Sequence, residues 1–330
     1  MNSKTSLILG CAGQDGSLMC HSLLKKGEKI IGLSRSQTNQ IPNHLELGID
    51  KKIESKKGDI RNFSTLADLI ETYKPDKIFN FAAQSSVGKS FTYPIETIEG
   101  IVNGTINILE VARKLNFQGK IFFAGSSEMF GLTKVRANVN HHQNPGNPYA
   151  IGKQTSFNLV KFYRENYKVN CSTGVLFNHE SHLRTSNFVT QKIIEGVIQS
   201  SKNKTHRITL GNVEIKRDWG WAPEYMEAIF KITEAAKSED HIICTGKLTS
   251  LMEFIKIAYS KLNLNWKDHV IIDDKLKRKN EILQSFGDPM PIYKKLNWKS
   301  QVDVEEIITK LIEFKIKQNS KDINNSIRYF

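Results

Sequence analysis

Three regularly spaced glycines follow the first apolar segment of the chain. Residues 6–9 read Ser-Leu-Ile-Leu, which predicts a short buried strand. Gly10, Gly13 and Gly16 come directly after it, and the apolar spacing from Ser17 onward predicts a helix. Glycines at such a turn let the backbone approach a pyrophosphate closely at the helix N-terminus, where the helix dipole favours anions. The pattern therefore predicts a dinucleotide-binding strand–turn–helix unit.

Strand-like and helix-like segments alternate along the first half of the chain. The further predicted strands cover residues 29–33, 77–83, 120–124 and 172–177. With a helix predicted over 105–115, this alternation favours a doubly wound parallel sheet of the Rossmann type. A late strand near 241–246 is expected to join the same sheet. We therefore predict a cofactor-binding domain over 1–178 plus that strand. A smaller, mixed α/β domain for the substrate is expected over most of 179–330.

The charge and hydropathy of the chain restrict its partners. The formal net charge is +13 over 330 residues, but the lysines are scattered and form no basic stripe interleaved with aromatic residues. No nucleic-acid partner is therefore expected, whereas a polyanionic small ligand would benefit from the positive field. No apolar run approaches the roughly 18 residues that a membrane helix needs, and no secretory signal precedes the first strand. We expect a cytoplasmic protein with no membrane partner.

The four cysteines and nine histidines lack the spacing of a metal site. Cys11, Cys20, Cys171 and Cys244 form no C-x-x-C pair and are not framed by histidines. Buried, reduced thiols are the expected state of all four, and no bound metal is predicted.

The end of the second predicted strand indicates which nicotinamide cofactor would bind. NAD enzymes usually carry an acidic residue there, but this chain has Arg35 between two serines. A guanidinium can pair with a 2′-phosphate, so NADP is predicted, with Asp59 at the adenine. The predicted cofactor contacts are Gly10, Gly13, Gln14, Asp15, Gly16, Arg35, Asp59, Ile60, Ala82, Ala83, Gln84, Tyr149 and Lys153.

Four polar residues form the predicted catalytic group. Tyr149 and Lys153 are four residues apart, which places them on one face of a helix. A nearby ammonium favours the phenolate, so we expect Lys153 to lower the pKa of Tyr149, which would take a proton from a sugar hydroxyl. Ser126 follows a predicted strand and is expected to hydrogen-bond that hydroxyl. Glu128 adds a carboxylate, which an elimination of water after the oxidation would require.

These residues belong to longer stretches that resemble a known family. The chain is similar, from Leu7 to about Trp298, to the GDP-mannose 4,6-dehydratases of the extended short-chain dehydrogenase/reductase superfamily. The most specific stretches are Gly13-Gln14-Asp15-Gly16-Ser17, Ala82-Ala83-Gln84-Ser85, Leu176-Phe177-Asn178-His179-Glu180-Ser181, Asn187-Phe188-Val189-Thr190, Leu210-Gly211-Asn212 and Lys216-Arg217-Asp218-Trp219-Gly220.

The resemblance implies a reaction and a set of substrate contacts. The expected reaction is conversion of GDP-mannose to GDP-4-dehydro-6-deoxy-D-mannose, in which NADP is reduced and reoxidised within one cycle. The expected assembly is a homodimer or homotetramer. Ser126, Glu128, Tyr149 and Lys153 match the family's catalytic positions. The implied substrate contacts are Ser85, Ser127, Asn178, Asn187, Val189, Lys192, Leu210, Gly211, Asn212, Arg217, Arg278 and Glu281.

Departures from the family pattern leave alternatives for the substrate. Phe130 replaces a Tyr, and Trp221 replaces a His. The loop 182–186 reads His-Leu-Arg-Thr-Ser where the family usually has Pro-Arg-Arg-Gly-Glu, and in some members that loop helps to build a tetramer. A GDP-heptose is the alternative substrate that these changes suggest. A 4-reductase or epimerase acting on a nucleotide-sugar is the alternative activity within the superfamily.

Overall fold

The fold comes from a computed structural model that describes residues 3–35, 40–276 and 280–319. Its strands are β1 Thr5–Leu9, β2 Lys29–Ser34, β3 Ile53–Lys57, β4 Lys77–Asn80, β5 Lys120–Ser126, β6 Cys171–Leu176, β7 Asn178–Glu180, β8 Ile208–Leu210, β9 Lys216–Arg217, β10 Trp219–Trp221, β11 His241–Ile243, β12 Thr249–Ser250, β13 Val270–Ile272 and β14 Gln284–Ser285.

The helices alternate with these strands along the chain. They are α1 Gln14–Lys25, α2 Pro42–Glu46, α3 Phe63–Tyr73, α4 Val87–Thr92, α5 Pro94–Lys114, α6 Pro148–Asn166, α7 Val189–Lys202, α8 Ala222–Glu234, α9 Leu251–Ser260, α10 Met290–Leu296 and α11 Val304–Asn319. Short 3₁₀ turns cover Asp50–Lys52, Ser127–Phe130, Trp266–Asp268 and Asp274–Leu276. None of the helices in the described part of the chain is long and apolar enough to traverse a bilayer.

Seven parallel strands form the central sheet, in the order β3-β2-β1-β4-β5-β6-β11. The inner strands β1, β4 and β6 are almost entirely buried, as expected where helices cover both faces of a parallel sheet. The strand order reverses between β1 and β4, and ligands of such sheets bind in the crevice at the carboxyl ends of the strands beside that point. The predicted Rossmann-type fold is confirmed. The late strand, β11, pairs with β6 at the edge of the sheet.

Helices α5 and α6 pack closely on one face of the sheet. A Cβ built on Gly152 of α6 would lie 3.2 Å from Cδ1 of Ile101 on α5, so the helices meet where glycine removes the side chain. The hydroxyls of Thr105 and Ser156 hydrogen-bond across the same contact at 2.9 Å. Because α5 begins at Pro94, it extends well beyond the predicted helix over 105–115. Gly100 and Gly104 weaken the helical signal in the first half of α5.

The second half of the chain adds small sheets and a separate apolar core. Strand β10 pairs with β7, β13 with β8, and β12, β9 and β14 form a three-stranded sheet. Helices α7, α9 and α11 bury Ile193, Phe254 and Ile307 against one another. This arrangement holds β7 and the start of α7 beside the carboxyl edge of the central sheet, where the predicted site residues lie.

Candidate active site

The glycine turn has the shape that the sequence predicts. Gly10 has a φ of +83°, and a Cβ there would lie 2.7 Å from the backbone nitrogen of Ala82. A Cβ on Gly16 would lie 2.2 Å from the carbonyl oxygen of Gly10, so both positions require glycine. At Gly13 the nearest such atom is 3.6 Å away, and no side chain caps α1. The turn therefore leaves open space in front of a helix N-terminus, which fits a pyrophosphate.

This turn opens on a cleft of about 500 Å³. The cleft runs along the carboxyl edge of the central sheet and between the sheet and the second half of the chain. Most of the predicted site residues line it, namely Gly10, Gly13, Gln14, Asp15, Gly16, Ala83, Gln84, Ser85, Ser126, Ser127, Glu128, Tyr149, Lys153, Asn178, Asn187, Val189, Leu210, Gly211, Asn212, Arg217 and Glu281. The cofactor-side and substrate-side residues thus meet in one cavity.

Two residues predicted for the adenosine end of the cofactor lie outside the cleft lining. Arg35 is exposed at the end of β2, and its NH1 lies 3.6 Å from Oε1 of Glu96. The carboxylate of Asp59 accepts two hydrogen bonds from the Arg61 guanidinium, which lower the pKa of Asp59. Arg35 also acts on that carboxylate electrostatically. The two predicted residues therefore share one charged surface beside the cleft.

Three other predicted contacts also lie outside the lining. Ile60 packs in the core below the sheet edge, and Ala82 lines a small adjoining cavity of about 10 Å³. The ammonium of Lys192 donates to the carbonyl of Thr209 at 2.6 Å and points away from the cleft. Arg278 lies outside the described residues.

The four predicted catalytic residues come from three neighbouring elements, namely the end of β5, the 3₁₀ turn that follows it and the start of α6. Ser126 ends β5, and its hydroxyl accepts a hydrogen bond from the backbone N–H of Glu128 at 3.3 Å. Tyr149 and Lys153 lie on the first turns of α6 and both face the cleft. The strand end and the helix start therefore bring a hydroxyl, a carboxylate, a phenol and an ammonium together, as proton transfer at a sugar hydroxyl and a neighbouring carbon requires.

The electrostatics of the Tyr149–Lys153 pair differ from the prediction. Burial raises the pKa of Tyr149 to about 12, against a smaller opposing effect of its hydrogen bond with Ser126. Burial also lowers the pKa of Lys153 to about 8. The Lys153 ammonium lies 5.8 Å from the centre of the Tyr149 ring and donates to the carbonyl of Ala124 at 2.7 Å. The predicted lowering of the Tyr149 pKa by Lys153 is wrong for this structure because burial of both side chains outweighs it.

One residue that the prediction missed links Glu128 to the helix that carries Tyr149 and Lys153. Asn147 caps the N-terminus of α6, and its side-chain oxygen accepts from the backbone N–H of Ala150 at 2.8 Å. Its amide nitrogen donates to Oε2 of Glu128 at 3.0 Å. The Asn-Pro pair before Tyr149 is a typical helix start and could have indicated the cap. The contact with Glu128 has no local sequence signal.

A second missed residue joins the glycine turn to β7. Nε2 of His179 lies 3.0 Å from Oδ1 of Asp15, and Nδ1 lies 2.7 Å from the carbonyl oxygen of Phe177. Burial acts to lower the pKa of His179, but the Asp15 carboxylate raises it on balance. Burial acts to raise the pKa of Asp15, but His179 lowers it to about 2. Each group therefore favours the charged form of the other.

The loop 182–186 folds against its own chain. The His182 ring packs on Phe314 of α11 at 3.9 Å between centroids. The Arg184 guanidinium lies 3.7 Å from the centre of the Phe188 ring, and its Nε lies 3.3 Å from the buried carboxylate of Glu180. Leu183, Arg184 and Thr185 line the cleft. The loop thus forms part of the wall between the glycine turn and the start of α7.

The two other departures from the family pattern lie in the core. Phe130 packs on Phe177 and on the edge of His141. Trp221 is buried in the core formed by α7, α9 and α11. Neither side chain lines the cleft, whereas Trp219 does.

The substrate side of the cleft carries a cation and an unsatisfied carboxylate oxygen. Arg217 ends β9 and is nearly buried, with NH1 donating to the Lys216 carbonyl at 3.0 Å. Oε2 of Glu281 is buried and has no hydrogen-bond partner among the described residues. A carboxylate oxygen in this state fits a ligand hydroxyl. Across residues 3–35, 40–276 and 280–319, no group of three or more His, Cys, Asp or Glu side chains is arranged to hold a metal ion.

Comparisons with known proteins agree with this geometry. The sequence profile described as "GDP-mannose 4,6 dehydratase" matches residues 7–311. The Arabidopsis thaliana protein "GDP-mannose 4,6 dehydratase 1" is 34% identical over 94% of this chain and 89% of its own length. The Homo sapiens "GDP-mannose 4,6 dehydratase" is 30% identical over 94% of this chain and 90% of its own.

A solved structure shows the same fold at lower identity. It is that of a dTDP-glucose 4,6-dehydratase from Streptomyces venezuelae with NAD and TYD bound. It superposes with a TM-score of 0.85 over 96% of this chain and 98% of its own, at 20% sequence identity. At that identity the likeness concerns the fold.

Proposed function

The chain belongs to the GDP-mannose 4,6-dehydratase family, and from this premise we propose that it converts GDP-mannose to GDP-4-dehydro-6-deoxy-D-mannose with loss of water. The observation that carries the proposal is the position of Glu128, which shares the cleft with Ser126, Tyr149 and Lys153. Ser126, Tyr149 and Lys153 are sufficient for the oxidation of a sugar hydroxyl. The Glu128 carboxylate is required only when a C–H bond next to the new ketone is deprotonated.

The residues divide the reaction between them. Tyr149 takes the proton of the C4 hydroxyl, which Ser126 holds by a hydrogen bond. With a ketone at C4, the C5 proton becomes acidic and Glu128 removes it. The same carboxyl group then gives its proton to the departing C6 hydroxyl, so that water leaves and Glu128 is again ionised. The proton that Tyr149 took is available to return to C5, which completes the product and restores Tyr149 for the next cycle. When bound, the nicotinamide cofactor supplies reversible hydride transfer to this sequence.

We propose NADP as that cofactor. The first turn of α1 and the glycine turn would hold its pyrophosphate, and Lys153 its nicotinamide ribose. Arg35 supports the choice of NADP because its exposed guanidinium lies beside Asp59 at the predicted adenosine end. The solved dTDP-glucose 4,6-dehydratase binds NAD, which supports a nicotinamide cofactor in general.

The nucleotide-sugar would lie on the opposite side of the cleft. Arg217 would pair with its diphosphate, and the unsatisfied oxygen of Glu281 would accept from a ribose hydroxyl. A GDP-heptose is the second candidate substrate. It is favoured by Leu183 and Thr185, which line the cleft where the family usually has Arg and Gly.

We also propose that the enzyme is a homo-oligomer in the cytoplasm. Five apolar side chains on or beside α4, α5 and α6 are exposed, namely Phe91, Tyr93, Ile95, Ile151 and Phe162. A cluster of this kind supports a contact with a second copy. The described cysteines are free and buried, which supports a reducing compartment. The mass of the protein in solution, measured by light scattering, decides between a monomer, dimer and tetramer.

One incubation tests the proposed activity. Purified protein is mixed with GDP-mannose and a substoichiometric amount of NADP, and the sugar nucleotide is followed by mass spectrometry. Loss of one water, with no net accumulation of NADPH, is expected. Glu128→Gln is expected to reduce water loss by about 10²–10⁴-fold. Conversion of the added NADP to NADPH without loss of water would instead support a redox-only enzyme. A GDP-heptose assayed in parallel tests the second substrate.

A further inference from the structure

We propose that Asn147 is a positioning residue for Glu128, and that it couples the base for C5 to the helix that carries Tyr149 and Lys153. The inference rests on the proposed function, because it concerns the carboxylate that would deprotonate C5. Asn147 itself lies outside the cleft lining and is buried, so it acts through Glu128.

The two ends of the Asn147 amide have different, fixed partners. Its oxygen accepts from the N–H of Ala150 at 2.8 Å, which is one of the donors that the start of a helix leaves without an intrahelical partner. A backbone N–H can only donate, so the oxygen must face Ala150 and the NH₂ group must face away from it. The NH₂ group lies 3.0 Å from Oε2 of Glu128. The helix cap thus determines the orientation of the donor that holds the carboxylate.

A backbone contact holds the two segments together. The N–H of Asn144 donates to the carbonyl of Met129 at 3.0 Å, which ties the loop before α6 to the 3₁₀ turn that carries Glu128. Asn147 and Glu128 therefore cannot separate without breaking two hydrogen bonds. In this arrangement Oε2 of Glu128 is held at a fixed place relative to Tyr149 on the first turn of α6.

The residue type matters because other capping residues lack the second contact. Serine and aspartate at a helix N-cap accept from the same backbone N–H as asparagine does. Serine is too short to cap the helix and also donate to Glu128, and an ionised aspartate would put a second carboxylate against it. Asn147→Ser and Asn147→Asp therefore keep the helix cap and remove the donor.

The base step can be observed apart from hydride transfer. The product has a ketone at C4 and a hydrogen at C5. When Glu128 takes that hydrogen as a proton, the C5–H bond breaks and its electron pair moves to the C4 carbonyl oxygen. In D₂O the carboxyl group exchanges its proton with solvent and returns a deuteron to C5. No oxidation or reduction occurs, and the exchange replaces the single C5 hydrogen by one deuterium.

The experiment measures this exchange for the wild type, Asn147→Ser and Asn147→Asp, each loaded with NADP. GDP-4-dehydro-6-deoxy-D-mannose made by the wild type is the probe, and deuterium at C5 is followed by NMR. We expect exchange to fall about tenfold in Asn147→Ser and further in Asn147→Asp, since a small misplacement of a catalytic group has effects of this size. The KM for GDP-mannose should stay within about twofold, because Asn147 does not line the cleft.

Asn62→Ser is the matched control. Asn62 caps α3 in the same way, accepting from the N–H of Thr65 at 3.0 Å, and has no contact with the cleft. Asn62→Ser should show the same small loss of thermal stability as Asn147→Ser, and its rate of C5 exchange should equal that of the wild type. Equal exchange in wild type, Asn147→Ser and Asn147→Asp would overturn the role of Asn147 and leave the proposed function intact. A wild type that neither dehydrates GDP-mannose nor exchanges C5 would overturn the proposed function itself.

Discussion

The carboxylate of Asp15 lies 3.0 Å from Nε2 of His179, and this contact joins the first turn of α1 to β7. The other ring nitrogen faces the Phe177 carbonyl at 2.7 Å. Both neighbours are acceptors, so the contacts suit an imidazolium that donates from both nitrogens. The Tyr225 ring stacks on one face of His179 at 4.9 Å between centroids. The cofactor side and the substrate side of the cleft are thus connected by a partly buried ion pair.

Removal of this ion pair should destabilise the fold in a pH-dependent way. The lowered pKa of Asp15 contributes stability above its ordinary value of 3.8, and this is lost as the pH falls towards about 2. The raised pKa of His179 contributes stability that is complete below 6.5 and is lost as the pH rises through the raised value. Asp15→Asn should therefore lower the free energy of unfolding by about 2 kcal/mol at pH 6 and by less at pH 9.

Urea unfolding at the two pH values measures this difference. Asp68→Asn, on the exposed face of α3, is the control and should change the free energy of unfolding by less than about 0.5 kcal/mol. A loss in Asp15→Asn that is the same at pH 6 and pH 9 would contradict the ion-pair interpretation.

Local sequence patterns were sufficient to predict the backbone features of the site. The glycine turn requires glycine at positions 10 and 16, and Tyr149 and Lys153 share a face because a helix brings residues four apart together. These features depend on neighbours in the sequence, so the sequence alone predicted them. The doubly wound parallel sheet followed from the alternation of strands and helices.

The remaining features depend on contacts between distant segments. His179 meets Asp15 only because β7 lies beside the start of α1, and no local pattern indicates that pairing. The pKa of Tyr149 depends on how many side chains bury it, which the spacing of Tyr149 and Lys153 does not indicate. The direction of a long side chain such as Lys192, which hydrogen-bonds Thr209, is likewise set by the fold around it.

Tyr149→Phe should nearly abolish turnover and leave the fold intact. The change removes the phenolic oxygen that, once deprotonated, would take the proton of the C4 hydroxyl, and loss of a general base typically costs about 10²–10⁴-fold in kcat. Tyr163→Phe, on the same helix, is the matched control, since its hydroxyl donates to Glu110 at 2.6 Å away from the cleft. Initial rates with GDP-mannose and thermal melting curves are measured for both. Equal turnover in Tyr149→Phe and the wild type would remove Tyr149 from the mechanism.

Arg35→Ala should reduce the preference for NADP over NAD. An exposed guanidinium that pairs with a 2′-phosphate is worth about 1–2 kcal/mol, so the ratio of Kd values should shift by about 5–30-fold towards NAD. Binding of each dinucleotide is measured by calorimetry. Arg113→Ala is the control, because Arg113 is an exposed arginine that pairs with Glu110 at a distance from the cleft. An unchanged ratio in Arg35→Ala would show that other residues select the cofactor.

Lys77→Met should destabilise the fold without affecting the active site. Lys77 starts β4, at the amino edge of the sheet and opposite the cleft. Its buried ammonium lies 2.7 Å from Glu28 and 2.6 Å from Glu234. Removing the cation leaves the buried Glu28 carboxylate with only the Ser6 hydroxyl as a side-chain partner among the described residues. The expected loss is about 3 kcal/mol, since breaking a buried ion pair leaves an uncompensated charge.

Lys4→Ala is the matched control for that variant, because it removes an exposed partner of the same Glu234. The Lys4 side chain is 53% exposed and its ammonium lies 3.1 Å from the carboxylate, so solvent screens the pair and the expected loss is below about 1 kcal/mol. Urea unfolding measures both variants, and the KM for GDP-mannose should be unchanged in each. Equal losses of the free energy of unfolding in Lys77→Met and Lys4→Ala would show that burial does not determine how much each ion pair with Glu234 contributes to stability.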